Sequence, residues 1–98
     1  MDTKQMAKIF KALSNPNRLE LYLRIAKAQE ASFETGCECF VSDLIESLGI
    51  GAPTVSHHIK ELANADLVVT EKRGKYLICR VNRDLVAAVA EILNLQHK

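Results

Sequence analysis

Ala52-Pro-Thr-Val-Ser-His-His-Ile-Lys-Glu-Leu-Ala-Asn-Ala-Asp66 is the stretch on which the fold turns. On a helical wheel advancing about 100° per residue, Val55, Ile59 and Leu62 form one apolar stripe, with Ala52 and Ala63 at its edge. His57 points almost directly away from that stripe. Thr54, Lys60 and Glu61 share the outer face, and Ser56 and His58 flank it. Such a face is short, polar and rich in hydrogen-bonding groups, as base-edge and phosphate contacts require. An ordinary amphipathic surface helix has the same wheel, so the flanks must decide.

Upstream, Val41-Ser-Asp-Leu-Ile-Glu-Ser-Leu48 reads as a short helix with Val41, Leu44, Ile45 and Leu48 on one side. Gly49-Ile-Gly51 then supplies a tight turn. Pro53 falls in the first turn of the next helix, where its missing N–H costs nothing. Downstream, Leu67–Thr70 and Tyr76–Val81 are β-rich runs around Glu71-Lys-Arg-Gly-Lys75, a hairpin with a basic tip. A helix-turn-helix over about 41–66 followed by a basic wing over about 67–81 is a winged helix.

The remainder of the chain predicts helices. Met6, Ile9, Phe10 and Leu13 recur at helical spacing over Thr3–Leu13. Ser14 or Asn15 caps a second helix from Pro16 to about Ala28, whose apolar side is Leu19, Leu23 and Ala26, with Tyr22 and Ile25 adjoining. Gln29–Gly36 reads as a polar connecting loop. Asn82 or Asp84 starts a last helix, in which Leu85, Val86, Val89, Ile92, Leu93 and Leu95 cover more than one face. The expected fold is mostly α with a small β-hairpin, a single winged-helix domain over 1–98.

A chain of 98 residues makes one domain, and 48% hydrophobic content supports a core. With three Phe, two Tyr and no Trp, that core is aliphatic. Net charge is only +1, so nucleic-acid binding must depend on local placement of Lys60, Lys72, Arg73, Lys75 and Arg80. Met1-Asp-Thr-Lys-Gln5 lacks the basic start and apolar run of a signal peptide, and no stretch is long enough to span a membrane. Three cysteines do not make a disulfide framework. A cytoplasmic chain with reduced thiols is expected.

Phe10-Lys-Ala-Leu-Ser-Asn-Pro-Asn-Arg-Leu-Glu-Leu21, Phe40-Val-Ser-Asp-Leu44, Gly51-Ala-Pro-Thr-Val-Ser-His-His-Ile-Lys-Glu-Leu62 and Ala65-Asp-Leu-Val68 resemble the ArsR/SmtB family of bacterial and archaeal repressors. The resemblance runs from about residue 5 to the end of the wing. It implies a homodimer that sits on operator DNA and leaves it when a metal, metalloid or oxidant is sensed. Ser56 and His57 align with base-contacting positions of the family. Together with Thr54 and Lys60 they form the expected reading set, and Lys72, Arg73 and Lys75 are expected on phosphate or in the minor groove. The first and last helices are expected to form the dimer interface through Met6, Ile9, Val89, Ile92 and Leu93, because the last helix has more apolar surface than its own domain readily covers.

For sensing, Cys37-Glu-Cys39 precedes the third helix and Cys79 lies in the second wing strand. Thiolates are soft ligands suited to zinc, copper(I) and arsenite. Two of them need a third or fourth ligand for a closed site. The family's Cys-x-Cys-Asp-Leu pattern becomes Phe40-Val-Ser-Asp-Leu44 here, with Cys37 and Cys39 three residues upstream of the two ligand positions. Its second site, in the last helix, finds Asp84 and His97 but Val86 between them. Cys79 also reads as an inward-facing core residue. Adjacent His57 and His58 point about 100° apart and do not suit one metal ion; DNA contact fits His57, and packing or a flanking role fits His58. Competing readings are a winged-helix protein-interaction module and a non-sensing DNA-binding protein. The outer face of 52–64 lacks the large anchors of protein hot spots. A thiol redox enzyme would need a C-x-x-C motif, which is absent.

Overall fold

In the computed structural model of the protein, the described residues are 1–35 and 40–94 for the backbone, and 1–29 and 40–94 for the side chains. α1 (Thr3–Leu13) begins at Asp2, whose carboxylate accepts from the Gln5 N–H at 2.7 Å. Asn15 caps α2 (Pro16–Thr35), its side-chain oxygen accepting from the Arg18 N–H at 3.0 Å, and Pro16 takes the first helical position. α3 (Val41–Leu48) ends at Gly49 with φ +66°, and α4 (Ala52–Asn64) follows with Pro53 in its first turn. β1 (Val68–Arg73) and β2 (Tyr76–Val81) form an antiparallel hairpin, and α5 (Arg83–Leu93) is capped by the Asn82 side chain.

Two expectations about α2 are corrected. The helix does not stop near Ala28 but continues through Thr35. Gln29-Glu-Ala-Ser-Phe-Glu34 contains no Gly or Pro, and Gln, Glu and Ala are good helix formers; polarity alone was mistaken for a loop signal. The buried stripe is also different. Among the described side chains of α2, Leu21 and Ile25 are fully buried, whereas Leu19 and Leu23 are 39% and 53% exposed. Arg18, Leu21, Tyr22 and Ile25 stand at i, i+3, i+4 and i+7, as regular as the stripe expected. α2 is apolar on more than one face, and contacts with α4 and β2 select between them.

The α4 wheel is found as expected. Val55, Ile59 and Leu62 are buried in the central core, together with Ile9, Leu21, Ile25, Leu44 and Leu67. Each such aliphatic side chain contributes about 1.5–3 kcal/mol. α4 leaves the core through a Schellman turn: the Leu67 N–H donates to the Leu62 carbonyl and the Asp66 N–H to the Ala63 carbonyl. Asp66 occupies the left-handed position of that turn, at φ 63°. Leu62 and Leu67, which pack at its two ends, are both buried.

The hairpin is tighter than its sequence suggested. Glu71, Lys72 and Arg73 belong to β1, and the turn is only Gly74-Lys75, with Arg73 paired to Tyr76. Gly74 has φ +63° and Lys75 does not share the positive φ, the pattern of a type II′ turn. Phe40 pairs with Ile78 on the far edge of β2. The Gln29 side-chain oxygen accepts from the Val81 N–H, tying the extended part of α2 to the wing.

No residue of α5 is buried. Leu85, Val86 and Val89 rest partly on the core, while Ile92 and Leu93 are 44% and 56% exposed. Ile9, expected at an interface with them, instead turns into its own core at 2% exposure. Its neighbour Phe10 is the exposed large side chain of α1. A three-four spacing defined one broad apolar face, and α2 and α4 cover the Ile9 side of it. Among the described residues no helix is long and apolar enough to cross a membrane.

Candidate nucleic-acid interface

α4 presents Thr54, Ser56, His57 and Lys60 to solvent, opposite a face that is buried throughout. Seating the helix so firmly is what turns four flexible polar groups into a fixed pattern. Glu61, expected among them, is half-buried against a cavity bounded by α1 and α2. His57 and His58 diverge as adjacent helical residues must. Their ring centroids are 6.1 Å apart. His58 is only 8% exposed and its Nδ1 has no hydrogen-bond partner. Burial holds the His58 imidazole below the usual histidine range, with the positive charge of Arg18 and then of His57 adding to the effect. His58 is therefore a packing residue whose burial disfavours the charged ring, and His57 is the exposed one of the pair.

On the wing, successive strand residues alternate faces, so Lys72 and Arg73 point to opposite sides of the ribbon. Glu71, Arg73 and Arg80 share one side. The Glu71 carboxylate accepts from Arg80 at 2.7 Å and from Arg73 at 3.1 Å. These bonds, that to Arg80 first, hold the Glu71 carboxyl below the usual glutamate range. The pairs are solvent-exposed and add little to stability. Their effect is to orient Arg73 and Arg80 along the strand and to offset part of the wing's charge. Lys75, at the turn, lies 5.6 Å from the Tyr76 ring centroid. Tyr76 is 48% exposed and stacks at a tilt against Phe40, with centroids 5.4 Å apart. This aromatic beside the basic turn was missed in the sequence, where Tyr76 read only as a strand former; its place next to a Gly-Lys turn was the available signal.

Cys79 is 1% exposed, in the core and opposite Thr70 across the hairpin. Cys37 and Cys39 lie outside the described residues, as do Leu95 and His97. Among the described residues no three His, Cys, Asp or Glu side chains group to hold a metal ion.

Residues 34–70, which span the helix-turn-helix and the start of the wing, match the model of the bacterial regulatory protein family arsR. Over 95 residues the chain is 33% identical to the arsenical resistance operon repressor of Staphylococcus xylosus, covering 97% of this chain and 83% of that protein. The chain belongs to the ArsR family. As a member of the ArsR family, it is a DNA-binding transcriptional regulator with a winged helix-turn-helix fold. Solved structures of the ArsR fold agree. The transcriptional repressor BigR from Xylella fastidiosa superposes with a TM-score of 0.62 at 28% identity, over 95% of this chain and 90% of that one. A homodimeric winged helix-turn-helix DNA-binding domain from Mycobacterium bovis does so at 0.68 and 24% identity, over 97% and 86%.

Proposed function

We propose that the protein is a homodimeric repressor that reads two operator half-sites with the exposed face of α4. Thr54, Ser56, His57 and Lys60 contact base edges and adjacent phosphates. Lys72, Arg73 and Lys75 meet phosphate or the minor groove, and contribute affinity rather than sequence choice. The observation that carries this reading is the division of α4 into a fully buried face and a polar, unobstructed one. Dimerisation through α1 and α5 is supported by the exposed Phe10, Ile92 and Leu93, which a single subunit leaves uncovered. With two subunits the spacing of half-sites follows from the two-fold axis.

The signal is read as a soft metal, a metalloid or a thiol oxidant acting at Cys37 and Cys39. What supports it is the chemistry of two thiols one residue apart just ahead of α3, and the arsenical-resistance function named for the Staphylococcus xylosus relative. Coupling of about 1–3 kcal/mol between ligand and DNA changes affinity 5- to 150-fold, enough for release. The test compares operator release from the wild type and from Cys37→Ser/Cys39→Ser, with zinc, copper(I), arsenite and peroxide in turn. Release by at least one agent from the wild type and by none from the variant is expected. Equal release from both, or from neither, would place the inducer site elsewhere.

A further inference from the structure

α1, the start of α2 and the end of α4 line a half-open cavity of about 230 Å³, apart from the exposed Thr54, Ser56, His57 and Lys60 face of α4. Lys8 and Lys11 enter it from α1, three residues apart and therefore on one side of that helix. Arg18 enters from α2, and Glu61 and Asn64 from α4. Arg18 is fixed in place: its Nη1 donates to the Ala12 carbonyl at 3.3 Å, where α1 ends. Its Nε is buried and has no hydrogen-bond partner. Lys8, Lys11 and Arg18 hold no ion pair among the described residues. Within this lining three cations face one carboxylate, a surplus of two charges in a chain whose net charge is +1, while Lys8 also borders an adjoining groove that holds Lys4, Asp2 and Asp66.

We propose that this cavity binds a small, doubly charged oxyanion of the phosphate type. A dianion cancels the local surplus. Ammonium and guanidinium groups are the donors that recognise such oxygens, and the Asn64 amide adds another. Size agrees as well. At about 30 Å³ for each water, the space holds several waters or one tetrahedral oxyanion with a partial shell, and it is smaller than the roughly 300 Å³ at which pockets for larger organic ligands begin. The competing explanation is that the three cations only offset the negative ends of α1 and α4. Because Glu61 and Asn64 belong to α4, an occupant would brace the end of the recognition helix. The inference does not depend on the repressor reading, and its first test contains no DNA.

The full chain is titrated with inorganic phosphate, against sodium chloride at equal ionic strength and pH. Backbone amide NMR shifts and Tm are followed together. Saturable shifts at Lys8, Lys11, Arg18 and Asn64, with a Tm rise that chloride does not give, are expected. Lys8→Gln/Lys11→Gln alters only exposed helix positions, so it keeps its fold; read against its own Tm in chloride, the phosphate response should vanish. Lys8→Arg/Lys11→Arg should retain it. Phosphate that acts no differently from chloride on the wild type, or an undiminished response in the Gln variant, overturns the site. The same proteins are then measured on random duplex in phosphate-free buffer. Equal affinity is expected. A salt-dependence slope lower by about 1 or more in the Gln variant would assign the cavity to a DNA backbone phosphate and overturn a free small anion as its occupant.

Discussion

At the scale of single residues, His57 and His58 show how one helical step separates two roles. The wheel placed His57 outward, and it is exposed; His58 was left between packing and flanking, and its burial decides for packing. The consequence is a pH dependence of stability. Burial first, then Arg18 and His57, lowers the His58 pKa from 6.5, so the unfolded chain binds the proton more readily than the folded one. Stability from this group is complete above the unfolded pKa and is lost as pH falls below it towards the lower folded value. Urea unfolding should therefore show constant stability from pH 8 to about 7 and a decline below about 6.5. His58→Gln should flatten that segment. The Glu71 shift acts in a separate, more acidic window, since a lowered carboxyl pKa withdraws stability only below the ordinary glutamate range. An identical decline in wild type and His58→Gln between pH 7 and 5.5 would assign the effect to another group.

At the scale of elements, legibility followed how many faces a segment can bury. α4 has one apolar stripe; of the expected outer face only Glu61 turns half-inward, and the helix start and the buried Val55, Ile59 and Leu62 were readable. α2 has several, so its core side was not; the choice between Leu21 and Leu19 is made by α4 and β2, which lie far away in sequence. Its length was misread because a polar segment without Gly or Pro is still a good helix. The basic tip of the wing is legible in the residues themselves, but the Glu71 carboxylate between Arg73 and Arg80 depends on strand register. The turn after α4 carries its own prediction. Asp66 sits where an L residue is strained and glycine is not. Among the described residues only its backbone is engaged across the turn, its carbonyl accepting from the Asn82 amide at 2.9 Å. Asp66→Gly should therefore stabilise the protein by about 0.5–1 kcal/mol, after the entropy that glycine adds to the unfolded chain. Thermal unfolding checks it, and a lowered Tm would show that the Asp66 side chain contributes more than its strain costs.

At the scale of the whole molecule, the proposed function rests on surfaces that one subunit leaves open. The polar face of α4 was legible because small polar groups stand opposite a buried apolar stripe. Of the proposed interface, the under-burial of α5 was expected and is found, whereas Ile9 belongs to the core and Phe10 to the surface. Ile92 is 44% exposed in the single subunit, so Ile92→Asp costs little there but places an unpaired charge in the proposed interface. Sedimentation should find a folded monomer with operator affinity lowered at least a hundredfold; a stable Ile92→Asp dimer would move the interface elsewhere. The most direct test of the account measures fluorescence anisotropy on two duplexes, one selected from a random library by the wild-type protein and one of scrambled sequence. His57→Ala and Arg73→Ala are compared with the wild type on both. Loss of one good base contact is worth about 1–3 kcal/mol, roughly 5- to 150-fold. His57→Ala should lose that factor on the selected duplex and almost nothing on the scrambled one, while Arg73→Ala should weaken both alike. Unchanged affinity of His57→Ala for the selected duplex, or an equal loss on both, would contradict the claim that the exposed face of α4 reads DNA sequence.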